Sequence, residues 1–225
     1  MERLWSSGGQ AYISAGEKGV NDDIAELRIA MERMQSDLAA LASRAAKADH
    51  YVEICNLQAA YGYYVDKGRW DDAAALFASD GTLELAGRGV YVGRERVRAY
   101  LHHLPPYGPG VLYNHMQLQP VIHIDCEAGT AKGRWRSFMM VGALGAEARW
   151  GEATYENEYR IEDGKWRIAL LHGYMNIYTE YEQGWHKGGV KLLRSIGGLQ
   201  PDRPPTVEYE AYPEPVVAPY HYDQV

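Results

Sequence analysis

Asp66 is the residue that fits its sequence surroundings least well. It closes a helix-forming run, Ala59-Ala60-Tyr61-Gly62-Tyr63-Tyr64-Val65-Asp66, just ahead of Lys67-Gly68. An acidic side chain at a helix C-terminus opposes the helix dipole, so a carboxylate kept there is a candidate for function. The tyrosines of the same run put phenols beside it, where the last turn of the helix can face a cavity. A second set of polar groups comes from a hairpin. Asp163-Gly164 between two alternating stretches is a two-residue turn that fixes strand register. It sets Glu162 opposite Lys165, Ile161 opposite Trp166, Tyr159 opposite Ile168, Asn157 opposite Leu170 and Tyr155 opposite His172. Arg160, Glu158, Glu156 and Arg167 then take the other face. The uncharged face is expected to be the pocket side, with Tyr155, Asn157, His172 and Tyr174 as its polar tips.

No motif in the sequence offers a metal or a cofactor. His102-His103 are adjacent rather than one helical turn apart, His-Glu-x-x-His is absent, and there is no cysteine cluster. No Gly-x-Ser-x-Gly elbow, Walker loop or dinucleotide fingerprint occurs, and Gly87, Gly89 and Gly93 lack phosphate-loop spacing. The expectation is a cofactor-free site in which acid and base groups act inside a shaped apolar cavity. Elimination suits such a site: a base removes a proton while an acid assists the leaving group.

The elements that must carry these groups can be read in order. Residues 1–20, rich in Ser and Gly, are expected to be a flexible leader. Asn21-Asp22-Asp23 supply capping side chains for a helix over 21–48. Its apolar positions, Ile24, Leu27, Met31, Met34, Leu38, Leu41, Ala45 and Ala48, alternate three- and four-residue steps, which is a coiled-coil seam. A domain over 49–182 follows, with helices at His50–Val65, Trp70–Phe77 and Arg94–His103 and short strands at Thr82–Leu85 and Gly89–Val92. A meander of strands at Met116–Ile124, Thr130–Ala143, Arg149–Glu162 and Lys165–Tyr178 completes it. Whether Arg134 and Arg136 or Trp135 point inward depends on the length of the Gly145 turn and stays open. Residues 183–225 are read as a short helix at Val190–Ile196 and a tail rich in Pro and Tyr. Six of the ten prolines lie beyond position 200, so the tail is extended, and its tyrosines suit it to strapping onto a partner subunit.

Composition limits the partners. The formal net charge is −7 and no dense Lys/Arg run occurs, which argues against nucleic acid. No apolar run approaches the roughly 20 residues that cross a bilayer, and no secretory signal is evident. Cys55 and Cys126 form no C-x-x-C motif and are expected to be buried, reduced thiols in a cytoplasmic protein. Eighteen tyrosines and six tryptophans against two phenylalanines suit a pocket for a small aromatic or polycyclic substrate. The seam, the sheet face and the tail make a homodimer or homotrimer the expected assembly.

Three motifs carry a family resemblance. Tyr61-x4-Asp66-x-Gly68-x-Trp70, then Leu76-Phe77-Ala78-x-Asp80-Gly81, then Tyr91-Val92-Gly93-Arg94-Glu95 resemble the SnoaL-like branch of the nuclear transport factor 2-like superfamily. The likeness covers roughly residues 48–182 and extends to scytalone dehydratase and bacterial bile-acid dehydratases. It implies an α+β fold, a cone-shaped curved sheet wrapped by helices, here with an extra N-terminal helix and a C-terminal tail. It also implies that His115, at the entry to the meander, pairs with Asp66 and serves as general base. Tyr61 then matches a tyrosine that hydrogen-bonds a substrate oxygen. Tyr64, Tyr155, Asn157 and His172 would bind substrate. The reaction implied is a lyase reaction, dehydration or release of formaldehyde, the latter as in diarylpropane lyases that act on lignin-derived aromatics. Two other classes share the fold: a non-catalytic oligomeric binding module, and the small structural subunit of a ring-hydroxylating dioxygenase.

Overall fold

The computed structural model describes the backbone of residues 8–223. The chain divides into two compact units at Ala48/Asp49. Helix α1 runs Gly8–Asp66, so helix is already present ahead of the Asn21-Asp22-Asp23 start expected from capping chemistry. The stretch from Gly8 holds no proline, and its glycines lower helix propensity without forbidding it. Met1–Ser7 of the expected leader lie outside the described residues. In the first unit the seam faces solvent: Leu27 is 64% exposed, Met34 71% and Leu38 67%.

The second unit contains the last turns of α1, then α2 (Trp70–Ala75), β1 (Phe77–Leu85), β2 (Val90–Val92) and α3 (Arg94–His102). Four long strands follow: β3 (Val111–Asp125), β4 (Thr130–Ala143), β5 (Ala148–Glu162) and β6 (Lys165–Glu180). They form one six-stranded sheet in the order β2-β1-β6-β5-β4-β3. β1 lies parallel to β6, and the other neighbours are antiparallel. This is the curved mixed sheet with helices, α+β, that the resemblance implied. One face packs on the end of α1 and on α2 and α3 through Ile54, Phe77, Leu83, Val97, Trp135 and Ile168, all buried. Each large apolar side chain so buried contributes about 1.5–3 kcal/mol.

Several local expectations are corrected. β1 begins at Phe77, and Asp80-Gly81 lies inside it, where the pairing with β6 shifts register between Phe77 and Thr82. The turn chemistry there makes a bulge in a strand rather than its entry. The hairpin register holds from Glu162↔Lys165 to Tyr159↔Ile168, then slips, so that Glu158 pairs with Leu170, Asn157 with Leu171 and Glu156 with His172. Ala169 is the extra residue on β6. One added residue moves every following side chain to the opposite face.

Val190–Ile196 is not a helix; the one helical turn of this segment is the 3-10 turn Trp185–Lys187. Glycine pairs at 188–189 and 197–198 flank the stretch, and its start docks on β6 through Val190 N–H to Tyr178 O at 2.6 Å. The tail makes contacts with the sheet of its own chain. Thr206 binds Glu84, Tyr209 Oη accepts Met175 N–H at 2.8 Å, and Arg203 bridges Val90. The cysteines are free, but Cys126 is exposed and Cys55 half-buried, against the expectation of burial. Among the described residues, no helix is long and apolar enough to cross a membrane.

Candidate active site

α1 ends where its chemistry is needed. Gly68 takes φ 63°, and Arg69 N–H returns to Tyr64 O at 2.9 Å, closing the helix over a left-handed residue. Asp66 is thereby left in the last turn with its carboxylate aimed at β3. Its Oδ1 accepts the backbone N–H of His115 at 2.6 Å and lies 3.2 Å from Nδ1 of the same residue. Two donors to one oxygen compensate a carboxylate that the helix dipole disfavours and that is only 9% exposed. With Nδ1–H directed at Asp66, the imidazole presents Nε2 as its free acceptor. The helix and strand can approach this closely because position 62 is glycine. A Cβ there would stand 2.9 Å from both His115 O and Gln117 Cγ.

The His115 ring borders a cavity of about 640 Å³. Tyr61, Trp70, Tyr100, Met139 and Tyr155 line its interior, and Leu192 and Ile196 of the tail segment close its rim. Tyr61 and Tyr155 are both buried. Burial holds the Tyr61 phenol well above its ordinary value and raises that of Tyr155 to about 12, so both are protonated donors near neutrality.

Of the residues singled out from the sequence, the cavity brings together His115, Tyr61 and Tyr155, with Asp66 bonded directly behind His115. The others lie elsewhere. Tyr64 packs against the core edge with the Arg69 guanidinium 4.8 Å above its ring. Asn157 is on the inner face but below the cavity, 1% exposed. Its amide donates to Gln58 Oε1 at 3.0 Å and accepts His172 N–H at 3.2 Å. His172 and Tyr174 are on the opposite face of the sheet because of the Ala169 slip. There His172 Nε2 faces Glu84 at 3.6 Å, and its ring stacks on Tyr174 at 4.1 Å. The open question at β4 resolves with Trp135 inward, donating to Tyr159 Oη at 2.8 Å. Arg134 points outward and pairs with Glu156.

A buried polar chain behind the dyad was not anticipated. Tyr159 and Asn157 both donate to Gln58 Oε1. Gln58 Nε2 donates to Gln117 Oε1 at 2.8 Å, and Gln117 Nε2 donates to His115 O at 3.0 Å. The chain fixes the backbone of His115 from the side away from Asp66, and satisfied networks of this kind rigidify a site. Its signal was present in the sequence: Ile54, Gln58, Tyr61 and Val65 fall on one helical stripe, and a glutamine there is a buried polar residue in an otherwise apolar row. Arg88, Arg149 and Lys191 on the cavity wall were also missed. Among the described residues, no group of three or more His, Cys, Asp or Glu side chains is placed to share a metal ion.

A curved mixed sheet packed on helices, with a helix-end carboxylate holding a strand imidazole against a cavity, defines the cone-shaped class of α+β proteins. Within that class the chain belongs to the SnoaL-like domain family, whose sequence profile matches residues 46–172. Solved structures agree on the fold. A provisional scytalone dehydratase from Novosphingobium aromaticivorans is 17% identical, with a TM-score of 0.56 over 68% of this chain and 97% of that one. The hexachlorocyclohexane dehydrochlorinase LinA-type3 from Novosphingobium barchaimii is 25% identical, with a TM-score of 0.51 over 64% of this chain and 93% of that one. A second such dehydrochlorinase, LinA Type2, is also 25% identical, with a TM-score of 0.52 over 64% and 92% of the two chains. Among curated proteins, none matches this chain in sequence.

Proposed function

We propose that the protein is a lyase needing no cofactor, which eliminates water or formaldehyde from a ring-containing, phenolic substrate such as a lignin-derived aromatic dimer. The observation that carries this reading is the dyad. Asp66 Oδ1 holds both N–H groups of His115, and the same residue lines a cavity of about 640 Å³. His115 Nε2 takes a proton from the substrate, and Asp66 stabilises the imidazolium that forms. In dehydration the leaving hydroxide needs a proton, and Tyr61 is the donor. Its phenol is a weaker acid than free tyrosine, yet it still transfers a proton downhill to hydroxide, whose conjugate acid has a pKa of about 15.7. The phenoxide so formed recovers its proton from the imidazolium, which returns both residues to their starting state.

In a para-hydroxyaryl substrate, ionisation of the phenol lets the ring expel a benzylic hydroxyl as a quinone methide. Apolar walls from Val65, Leu101, Leu104, Val141 and Met175 suit a ring and hold water away from that intermediate. The eliminations named for the dehydratase and dehydrochlorinase neighbours are consistent with the same acid–base repertoire. The exposed seam on α1 supports a homodimer or homotrimer assembled through that helix.

The test is incubation of pure protein with a panel of hydroxylated phenolic dimers and polycyclic ketols, with products followed by mass. Loss of about 18 Da (one water) against about 48 Da (one water and one formaldehyde) separates the two lyase types, because formaldehyde leaves only after expulsion of the hydroxyl has made the quinone methide that accepts the electron pair of the broken C–C bond. Elimination that persists unchanged in both Asp66→Asn and His115→Ala, or no elimination anywhere in the panel, removes this reading.

A further inference from the structure

The cavity wall is positive in a protein that is negative overall. Arg88, Arg149 and Lys191 line it, and among the described lining residues Glu147 is the sole acidic one, against a net charge of −7 for the chain. The cations are not equivalent. Arg149 pairs with Glu147 at 2.7 Å, so its charge is matched, although its Nε is buried without a partner. Arg88 belongs to no ion pair among the described residues. It donates Nη1–H to Tyr100 Oη at 2.7 Å and Nε–H to Leu193 O at 3.4 Å, both neutral oxygens.

A guanidinium carries five N–H donors in a planar fork. Two of those on Arg88 are occupied, the side chain is half-buried, and the residue lines the cavity. Placing a cation against apolar walls with neutral partners alone is unfavourable until an anion joins it. The backbone also bears a cost to present it. Ala86 sits at φ 53°, a left-handed conformation that a side chain disfavours, and Gly87 follows at φ 70°. Strain held at a cavity edge is characteristic of a ligand-binding position.

We infer that Arg88 is a specificity residue that anchors a carboxylate on the substrate. A ring compound bearing one carboxylate then spans the cavity from Arg88 to the His115 side. The planar fork matches a carboxylate through two parallel N–H···O bonds. The 640 Å³ volume is ample for a two-ring acid. The inference deepens the lyase reading and rests on it for the word substrate, but binding alone can test it.

The experiment is titration calorimetry of the full chain with 2-naphthoate and 2-naphthamide. Wild type is expected to bind the carboxylate at least about tenfold more tightly than the amide, in line with a hydrogen-bonded charge. Arg88→Gln is expected to bring the two within about twofold, with amide affinity unchanged, and Arg88→Lys to recover part of the preference. Circular dichroism confirms that each variant is folded, and Arg88→Met replaces Arg88→Gln should the latter not fold. Equal binding of acid and amide to wild type, no binding of either, or a preference that survives Arg88→Gln overturns the inference. The two readings fail separately: a carboxylate preference without elimination anywhere removes the lyase and leaves the anchor, and elimination indifferent to charge and to Arg88 does the reverse.

Discussion

Two histidine–carboxylate pairs sit on opposite faces of the same sheet, and they behave as different chemistry. On the inner face His115 and Asp66 meet at 3.2 Å, and the imidazole borders a cavity. On the outer face His172 and Glu84 lie 3.6 Å apart beneath the C-terminal tail. There Glu84 accepts the N–H and the hydroxyl of Thr206, each at 2.7 Å, so the pair staples the tail to the sheet. Residue types do not separate the pairs. What separates them is whether a small molecule can reach the ring, and that depends on which face the strand presents.

The sharpest way to break the comparison is to remove one partner from each pair. His115→Ala and Asp66→Asn are expected to lower kcat by about 10²–10⁴ while circular dichroism stays native. His172→Gln should leave turnover within about twofold. Equal losses in His115→Ala and His172→Gln would erase the distinction.

A smaller effect comes from Gly62→Ala, which forces a methyl against His115 O. It is expected to destabilise by about 1–3 kcal/mol in chemical denaturation. It should also depress kcat, because the clash displaces the strand that carries His115. Replacing Glu84 by Leu strips two Thr206 donors of their acceptor and should cost about 1–3 kcal/mol with kcat retained. Thermal melting reads it as roughly 2–4 °C per kcal/mol for a chain of this size.

The outer pair also predicts a pH dependence. Burial holds the His172 imidazole below its ordinary 6.5, against the upward pull of Glu84 and Glu156. The unfolded chain therefore takes up a proton near pH 6.5, and the folded chain does so only at lower pH. Stability is full above 6.5 and falls as acid is added through the window beneath it. His172→Gln should flatten the melting temperature between pH 7.5 and pH 5 relative to wild type. Smallest for the chemistry, Leu27→Glu with Leu38→Glu on the exposed seam should reduce the molar mass seen by light scattering and leave turnover per subunit unchanged.

Much of the second unit was legible because local chemistry and tertiary structure agree there. Asp163-Gly164 set the β5–β6 hairpin, and the tyrosine-to-tryptophan motif marked the end of α1. The side on which His172 falls was not legible. Ala169 bulges without a glycine or proline to announce it, and a slip of one residue costs the sequence nothing visible while exchanging the two faces. Tyr155 kept its place because it belongs to the unbulged strand. Arg88 was hidden for another reason: three glycines at 87, 89 and 93 read as turn chemistry, which is correct but does not say what the arginine between the first two faces. The Gln58–Gln117 link joins residues 59 apart in sequence, a separation that helical or strand periodicity does not register.

The tail segment at the cavity rim lies beyond residue 172, where the family profile ends, and so does the second half of β6. The Asp66–His115 pair thus falls inside the span that the family profile matches, whereas Leu192 and Ile196 come from a segment beyond it. Substitutions or length changes in that appendage can reshape the entrance while the Asp66–His115 geometry stays as it is. Relatives that keep the dyad but exchange the rim should diverge in what they admit before they diverge in what they do to it.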